Sequence, residues 1–218
     1  MTRKGSAGDP LAELLTAIPR LVGRPATDQD RQRFTRYLAL LLEWNRVHDL
    51  TGHKHPRDIV RGLFLDSLLF LPQLPPRPIR LVDIGSGAGI PGLPLRILDP
   101  GIDLTVVESR RKRVSFLSAV RRELGLEVTV VEGRAEEMLR QHPDINGRFD
   151  AVTARGVTPS RGFLATCLQY ARVGGRVIVS APPAPKRPPL PHPRARWVKV
   201  HHSIPGLDRS FLVIDREA

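Results

Sequence analysis

One cysteine, Cys167, stands in a chain of 218 residues, so an internal disulfide and a cysteine-built zinc cluster are both excluded. It reads as a small apolar filler in a helix. No apolar run approaches the length that crosses a bilayer, and the opening residues, with Arg3, Lys4, Asp9 and Glu13, lack the apolar centre of a signal peptide. A cytoplasmic protein without a membrane partner is expected. Acids are the other shortage: 22 Asp and Glu face 34 Lys and Arg, leaving a formal net charge of +12 and a pI near 11.1. Such a surface draws in nucleic acid or anionic membrane at long range, and charge alone does not choose between them. No Ser/His/Asp or Cys/His nucleophile set can be assembled. The pairs His53/His55 and His201/His202 lack a third ligand, so they read as solvated side chains and no metal is expected. The length suits one well-buried domain with a helical appendage and is too short for two full-sized enzyme domains.

What the chain does carry is concentrated in residues 79–95, IRLVDIGSGAGIPGLPL. An apolar, β-favouring run passes through Asp83 and empties into a loop with glycines at 85, 87 and 89, which reads as strand, acid, glycine loop, helix. Glycines there allow backbone turns closed to other residues and let a ligand approach main-chain N–H groups at the mouth of the next helix. The spacing is GxGxG, with Ile90 where the dinucleotide fingerprint requires glycine. Asp83 would add negative charge beside a pyrophosphate but would favour a cationic ligand. An acid followed by GxGxG resembles the first motif of Rossmann-like methyltransferases, whose S-adenosylmethionine carries an ammonium and a sulfonium. A ligand-free strand-to-helix turn would use the same glycines, so the companions decide.

Residues 91–98 read as the first crossover helix, and the second strand, 104–107, ends in Glu108. That acid falls about twenty residues beyond the glycine loop, where a Rossmann-like fold places its ribose-binding carboxylate. A carboxylate accepts two hydrogen bonds from a vicinal diol, so type and position both suit an adenosine ribose. The next helix, 110–124, has a dense basic side with Arg110, Arg111, Lys112 and Arg113, which serves equally as a solvated face or as a phosphate contact. A third strand, 127–131, leads to Arg134, Ala135 and Glu136, and in this fold the turn after it faces the adenine. The fourth strand, 149–154, delivers Arg155 to its carboxyl end, where ligands bind in open α/β sheets. A helix at 159–171, the turn Gly174–Gly175 and a fifth strand at 176–180 complete an alternation that argues for a mostly parallel sheet. Residues 181–193 are an extended loop of polyproline character, and 196–203 with 209–215 form an antiparallel hairpin at the sheet edge.

Ahead of the glycine loop, residues 9–71 read as helical. Thr27 and Asp30 resemble a capping box, after which Phe34, Tyr37, Leu38, Leu41 and Leu42 recur along one face. A polar and aromatic segment, WNRVHDLT, follows from Trp44. A further helix over 57–71 sets Asp66 and Ser67 in an apolar stretch, and an acid there must be paired or face a cleft. The Pro-rich link 72–78 divides a helical cap, 1–75, from a core, 76–218, within one compact unit.

The segments WN…DLT, FLDS, VDIGSGAGIPGLPL, VES…KRVSFL, GRAEE, FDAVTARGV and the closing R…LVI together resemble the RsmG family, also called GidB. These are bacterial methyltransferases that modify guanine N7 in small-subunit ribosomal RNA. The resemblance implies an α/β, Rossmann-like class I S-adenosylmethionine-dependent methyltransferase, with a mostly parallel seven-stranded sheet, an antiparallel edge strand and an N-terminal helical cap. It implies cofactor contacts at Gly85, Ile90, Ala135, Glu136 and Arg155, beside Asp83, Gly87 and Glu108 of the loop reading, and a monomer acting on ribosomal RNA. Guanine N7 is already a lone-pair nucleophile, so Arg155 and Asp66 are expected to position rather than to shuttle protons. RNA contacts are expected at Arg110, Arg111, Lys112, Arg113, Lys186 and Arg187. Three departures fall on the face expected to meet RNA: Asp49 replaces Asn of an NLT segment, Leu63 replaces a His, and Ala181–Pro182 replace a Lys-Gly pair. A second function therefore stays open, a cofactor-binding relative with lost or redirected catalysis that binds RNA or methylates another substrate.

Overall fold

The computed structural model describes residues 8–181, 190–200 and 207–217. The chain opens with helix α1 (Ala12–Val22), which buries Leu14, Ala17 and Ile18 and stops at a left-handed Gly23. Helix α2 (Asp28–His48) starts with the expected capping box: Thr27 Oγ1 accepts from the Asp30 N–H at 3.1 Å while Asp30 accepts from the Thr27 N–H at 2.8 Å. Arg24 clamps the same carboxylate and donates to the Leu98 carbonyl at 2.9 Å, fastening this corner of the cap to the sheet layer.

The sequence predicts one helix over 57–71, and the structure winds that path three ways. Four α-helical residues (α3, Pro56–Ile59) pass into a π-helical turn, Val60–Leu65, and a 3₁₀ stretch, Leu68–Gln73. A contact from outside the segment falls at this turn. The Asp66 N–H, which an α-helix would direct to the Gly62 carbonyl, bonds Leu63 instead, and Gly62 accepts from Arg155 Nη2 at 2.6 Å. Pro72, which has no N–H to donate, lies inside the 3₁₀ stretch.

Among the described residues the sheet holds seven strands in the order β3-β2-β1-β4-β5-β7-β6. They are β1 (Ile79–Ile84), β2 (Ile102–Glu108), β3 (Val128–Glu132), β4 (Phe149–Arg155), β5 (Ala171–Ala181), β6 (Arg196–Val200) and β7 (Arg209–Asp215). The first five are mutually parallel, and β7 enters antiparallel to β5 with β6 outside it. Strand β5 begins five residues before the predicted start. The expected turn at Gly174–Gly175 is an irregularity inside the strand, where pairing jumps from Phe149↔Ala171 to Ala151↔Arg176. Residues 182–189 of the proline loop, and with them Lys186 and Arg187, lie outside the described residues.

Alternation along each strand sends side chains to two faces. One face, with Leu81, Leu104, Val106, Ala151 and Phe211, packs in a single cluster with α1, α2, α4 (Gly92–Leu98) and α5 (Arg111–Leu124). The other, with Val82, Val107, Val152, Val177 and Ile214, is covered by α6 (Ala135–Gln141) and α7 (Arg161–Tyr170), where Cys167 is buried as filler. Strand β1 pairs with both β2 and β4, so the strand order reverses there, and the crevice at its carboxyl end is where this architecture holds ligands.

Tyr37 joins the cap to that crevice. Its ring, without exposed surface, stacks on Phe64 at 4.7 Å, and its hydroxyl donates to the Ala88 carbonyl in the glycine loop at 2.5 Å. Tyr37→Phe keeps the ring and leaves a buried carbonyl without its donor, so urea denaturation should register a loss of about 1–2 kcal/mol.

Candidate functional site

Strand β1 ends in the loop foreseen from its glycines. Gly85, Gly87 and Gly89 have φ of 70°, 60° and 88°. At Gly89 the demand is also steric, because a Cβ would lie 2.2 Å from Leu93 Cδ1 and 2.8 Å from the Tyr37 hydroxyl. Asp83 sits beneath this loop with no exposed surface, accepting from Ser86 Oγ at 2.7 Å, Thr153 Oγ1 at 2.9 Å and the Gly92 N–H at 3.1 Å. Burial pushes its carboxyl up to about 6, against the pull of those three donors and of the Arg155 charge. The sequence offers Asp83 as an acid that favours a cationic ligand. In the structure its carboxylate is bonded to Ser86, Thr153 and Gly92 beneath the loop.

Glu108 closes β2 and is 4% exposed. Its Oε2 accepts from the Gly87 N–H and its Oε1 from the Arg110 N–H, both at 2.8 Å, with Arg113 Nη1 3.9 Å from Oε2. Each carboxylate oxygen retains a second acceptor position, which is what a ribose diol requires. Beside the loop is a cavity of about 380 Å³ with three walls: Leu50 to His53 of the cap together with Leu63, Gly85 to Ala88 with Ile90, and Arg155 with Gly156. Ala135 and Glu136 lie away from this lining at the start of α6; the Ala135 carbonyl accepts from Tyr170 at 2.9 Å and Glu136 is exposed. The residues present thus fit S-adenosylmethionine, with an acceptor pair for its ribose, a loop of open glycines and an adjoining cavity.

The structure also brings Asp66 and Arg155 together. Arg155 Nη2 lies 3.1 Å from Asp66 Oδ2, and Asp66, 1% exposed, is bonded through Oδ1 by Arg209 Nε. Burial, followed by the neighbouring Arg209, lowers the Arg155 pKa, while Asp66 raises it. Its Nη1 is buried with no hydrogen-bond partner among the described residues. Sequence reasoning singled out Asp66 and Arg155 and missed Arg209 as a member of the site. Because β7 runs antiparallel, its first residue falls beside the carboxyl end of β5, and Arg209 reaches an acid 143 positions earlier. Asn45 was missed as well: 5% exposed, it accepts from the Thr51 N–H at 2.8 Å and donates to the His53 carbonyl at 3.0 Å, shaping the cap's contribution to the cavity.

Of the expected RNA contacts, Arg110, Arg111 and Lys112 are exposed at the start of α5, and Arg113 is half-buried against Gly87. Leu63 lines the cavity, and Asp49, 82% exposed with φ 48°, pairs with Lys54 at 2.6 Å.

A mostly parallel sheet with an antiparallel final pair, a glycine loop after β1 and an acid ending β2 define a Rossmann-like methyltransferase of class I. Solved structures agree on the fold. A structure from Klebsiella pneumoniae, described as an O-methyltransferase, has a TM-score of 0.54 at 15% identity, covering 94% of this chain and 97% of that one. TrmN from Thermus thermophilus has 0.50 at 19%, covering 70% and 48%. Residues 30–181 match the family GidB, rRNA small subunit methyltransferase G, and the chain belongs to that family. A ribosomal RNA small subunit methyltransferase G of Streptococcus equi subsp. zooepidemicus is 36% identical over 159 residues, 72% of this chain and 67% of the relative. One from Streptococcus pneumoniae serotype 4 is 37% identical over 157 residues, 71% and 66%, so the match spans about two thirds of these relatives' length.

The raised Asp83 carboxyl has a consequence for stability. The folded protein holds this proton more tightly than the unfolded chain, so the group's contribution is fully present below pH 3.8 and is lost as pH rises through about 6. Stability of the wild type relative to Asp83→Asn, measured by denaturant titration between pH 4 and 7, should fall by up to about 3 kcal/mol across that window.

Proposed function

We propose that this chain transfers the methyl group of S-adenosylmethionine to N7 of a guanine in small-subunit ribosomal RNA. The observation that carries the proposal is the three-walled cavity, in which a cofactor-type loop anchored by Glu108 faces the Arg155–Asp66 pair and the cap segment 50–53. Family membership supplies the substrate class. When bound, S-adenosylmethionine supplies an electrophilic methyl on a sulfonium. The chain's part is to hold the ribose at Glu108, to seat the base, and to keep N7 in line with that methyl.

Guanine N7 carries a free lone pair on the major-groove edge, so no proton has to leave before attack and no general base is needed. Orientation is then the main source of acceleration. Arg155 is suited to orienting the base, because Gly62 and Asp66 fix one side of its guanidinium while Nη1, without a partner among the described residues, can donate to an acceptor on the substrate. Asp66 acts through Arg155 and Arg209, holding both cations at the cavity's edge. The exposed Arg110, Arg111 and Lys112 present a basic surface for the RNA backbone beside the cofactor end. Two features favour a redirected substrate within the same chemistry: an aliphatic wall at Leu63 and the Asp49–Lys54 pair, which neutralises a cation near the cap loop.

Glu108→Ala should weaken S-adenosylmethionine binding by about 10- to 100-fold in calorimetry, as expected for removing charged acceptors from a diol. Mapping N7-methylguanine on small-subunit ribosomal RNA from cells lacking the gene should show one modification lost. Arg155→Ala should fail to restore it while leaving the protein folded. A modification that persists unchanged in the deletion strain would leave the redirected substrate as the surviving reading.

A further inference from the structure

The sequence treats His53 as a solvated loop residue, whereas the structure seats it, half-buried, in the wall of the cavity opposite the glycine loop. We infer that His53 is the surface on which the target base stacks, an assignment that rests on the proposed RNA-methylating function.

The residue is held on both sides of its backbone. Its N–H donates to Thr51 Oγ1 at 3.3 Å, and its carbonyl accepts from the buried Asn45 at 3.0 Å. With both backbone groups bonded, the side chain leaves the loop from a fixed point. The ring is seated by a second device, Gly62 in the π-helical turn. A Cβ on Gly62 would stand 3.0 Å from both Cε1 and Nε2 of the imidazole, so the glycine leaves the space that the ring occupies. Glycine is among the poorest helix formers, and a helical turn that carries it forgoes stability for that space.

The orientation selects the chemistry. With Cε1 and Nε2 lodged against Gly62, the distal edge of the imidazole is taken up by the cap's own turn, and what His53 has left for the cavity is the rest of its ring. Among the described lining residues it is the only aromatic ring. Of the polar neighbours, the Ser86 hydroxyl is committed to Asp83, and Arg155 has Nη2 on Gly62 and Asp66, which leaves only its Nη1 for a base. A splayed-out purine needs a flat partner on one face, and aromatic or imidazole rings are the usual platform for an unstacked RNA base. His53 supplies that face while Arg155 approaches from the end of β4.

The test uses the full chain, labelled S-adenosylmethionine, and small ribosomal subunits from a strain lacking the gene. His53→Ala should lower kcat/KM for the subunit by about 10- to 100-fold, the range that loss of one base-stacking ring produces, with the Kd for S-adenosylmethionine within about twofold of wild type. His53→Phe, which keeps a flat ring, should restore most of that loss. Gly62→Ala should push the imidazole aside and mimic His53→Ala while keeping or raising the melting temperature, and should add nothing in the His53→Ala background. The inference is overturned if His53→Ala matches wild type on the subunit, if it weakens S-adenosylmethionine as much as RNA, or if His53→Phe is as impaired as the alanine variant. A wild-type chain that methylates no small subunit overturns the underlying function and this inference with it, whereas an active wild type with an indifferent His53→Ala overturns the inference alone.

Discussion

A carboxylate with no contact to solvent holds this molecule's site in order. Asp83 receives hydrogen bonds from Ser86 in the glycine loop, from the backbone at the start of α4 and from Thr153 on β4. One side chain thus locks the end of β1 to the loop that follows it, to the helix after the loop, and to the strand across the switch point. The burial that raises its pKa also forces the arrangement, because a desolvated carboxylate that lost any of these donors would be strongly destabilising. Glu108 repeats the device one strand away, with one oxygen on Gly87 and the other on Arg110. Between them the two acids fix the glycine loop from below and from the side. A ligand therefore meets a loop that is already ordered, which lowers the conformational entropy lost on binding.

The cap depends on the same loop. Tyr37 reaches from α2 to the Ala88 carbonyl, Arg24 bridges the capping box of α2 to the end of α4, and Gly62 hands its carbonyl to Arg155. The cap is consequently a wall of the site as well as a cover for one face of the sheet. Its last contribution, the segment from Leu50 to His53, is shaped by Asn45 before it meets the cavity.

What the residues disclosed in advance was whatever a short stretch of chain decides. The strand before the loop, the glycine spacing, the acid ending β2 and the Thr27–Asp30 box are local patterns, and each lies within a residue or two of its expected place. The misread elements were set by distant partners. The segment after Pro56 has a helical pattern, yet it leaves the α-helical winding at the turn where Arg155, 93 residues on, bonds the Gly62 carbonyl. The expected turn at Gly174–Gly175 is absorbed into β5 because Phe149 pairs ahead of it. Arg209 joins the site only through the antiparallel entry of β7, and His53 has room to face the cavity because the helical turn opposite it carries a glycine. No local pattern carries such information.

Arg209 also gives the chain a temporal property. Asp66 is set in the cap early in the sequence and is buried almost completely, with one of its two cationic partners on the seventh strand. In a chain still being synthesised, the cap, the glycine loop and the five parallel strands are all made before that arginine. Until then the acid has Arg155 alone of these two partners. The second cation that pairs with this buried acid is thus supplied by the strand made last among the seven.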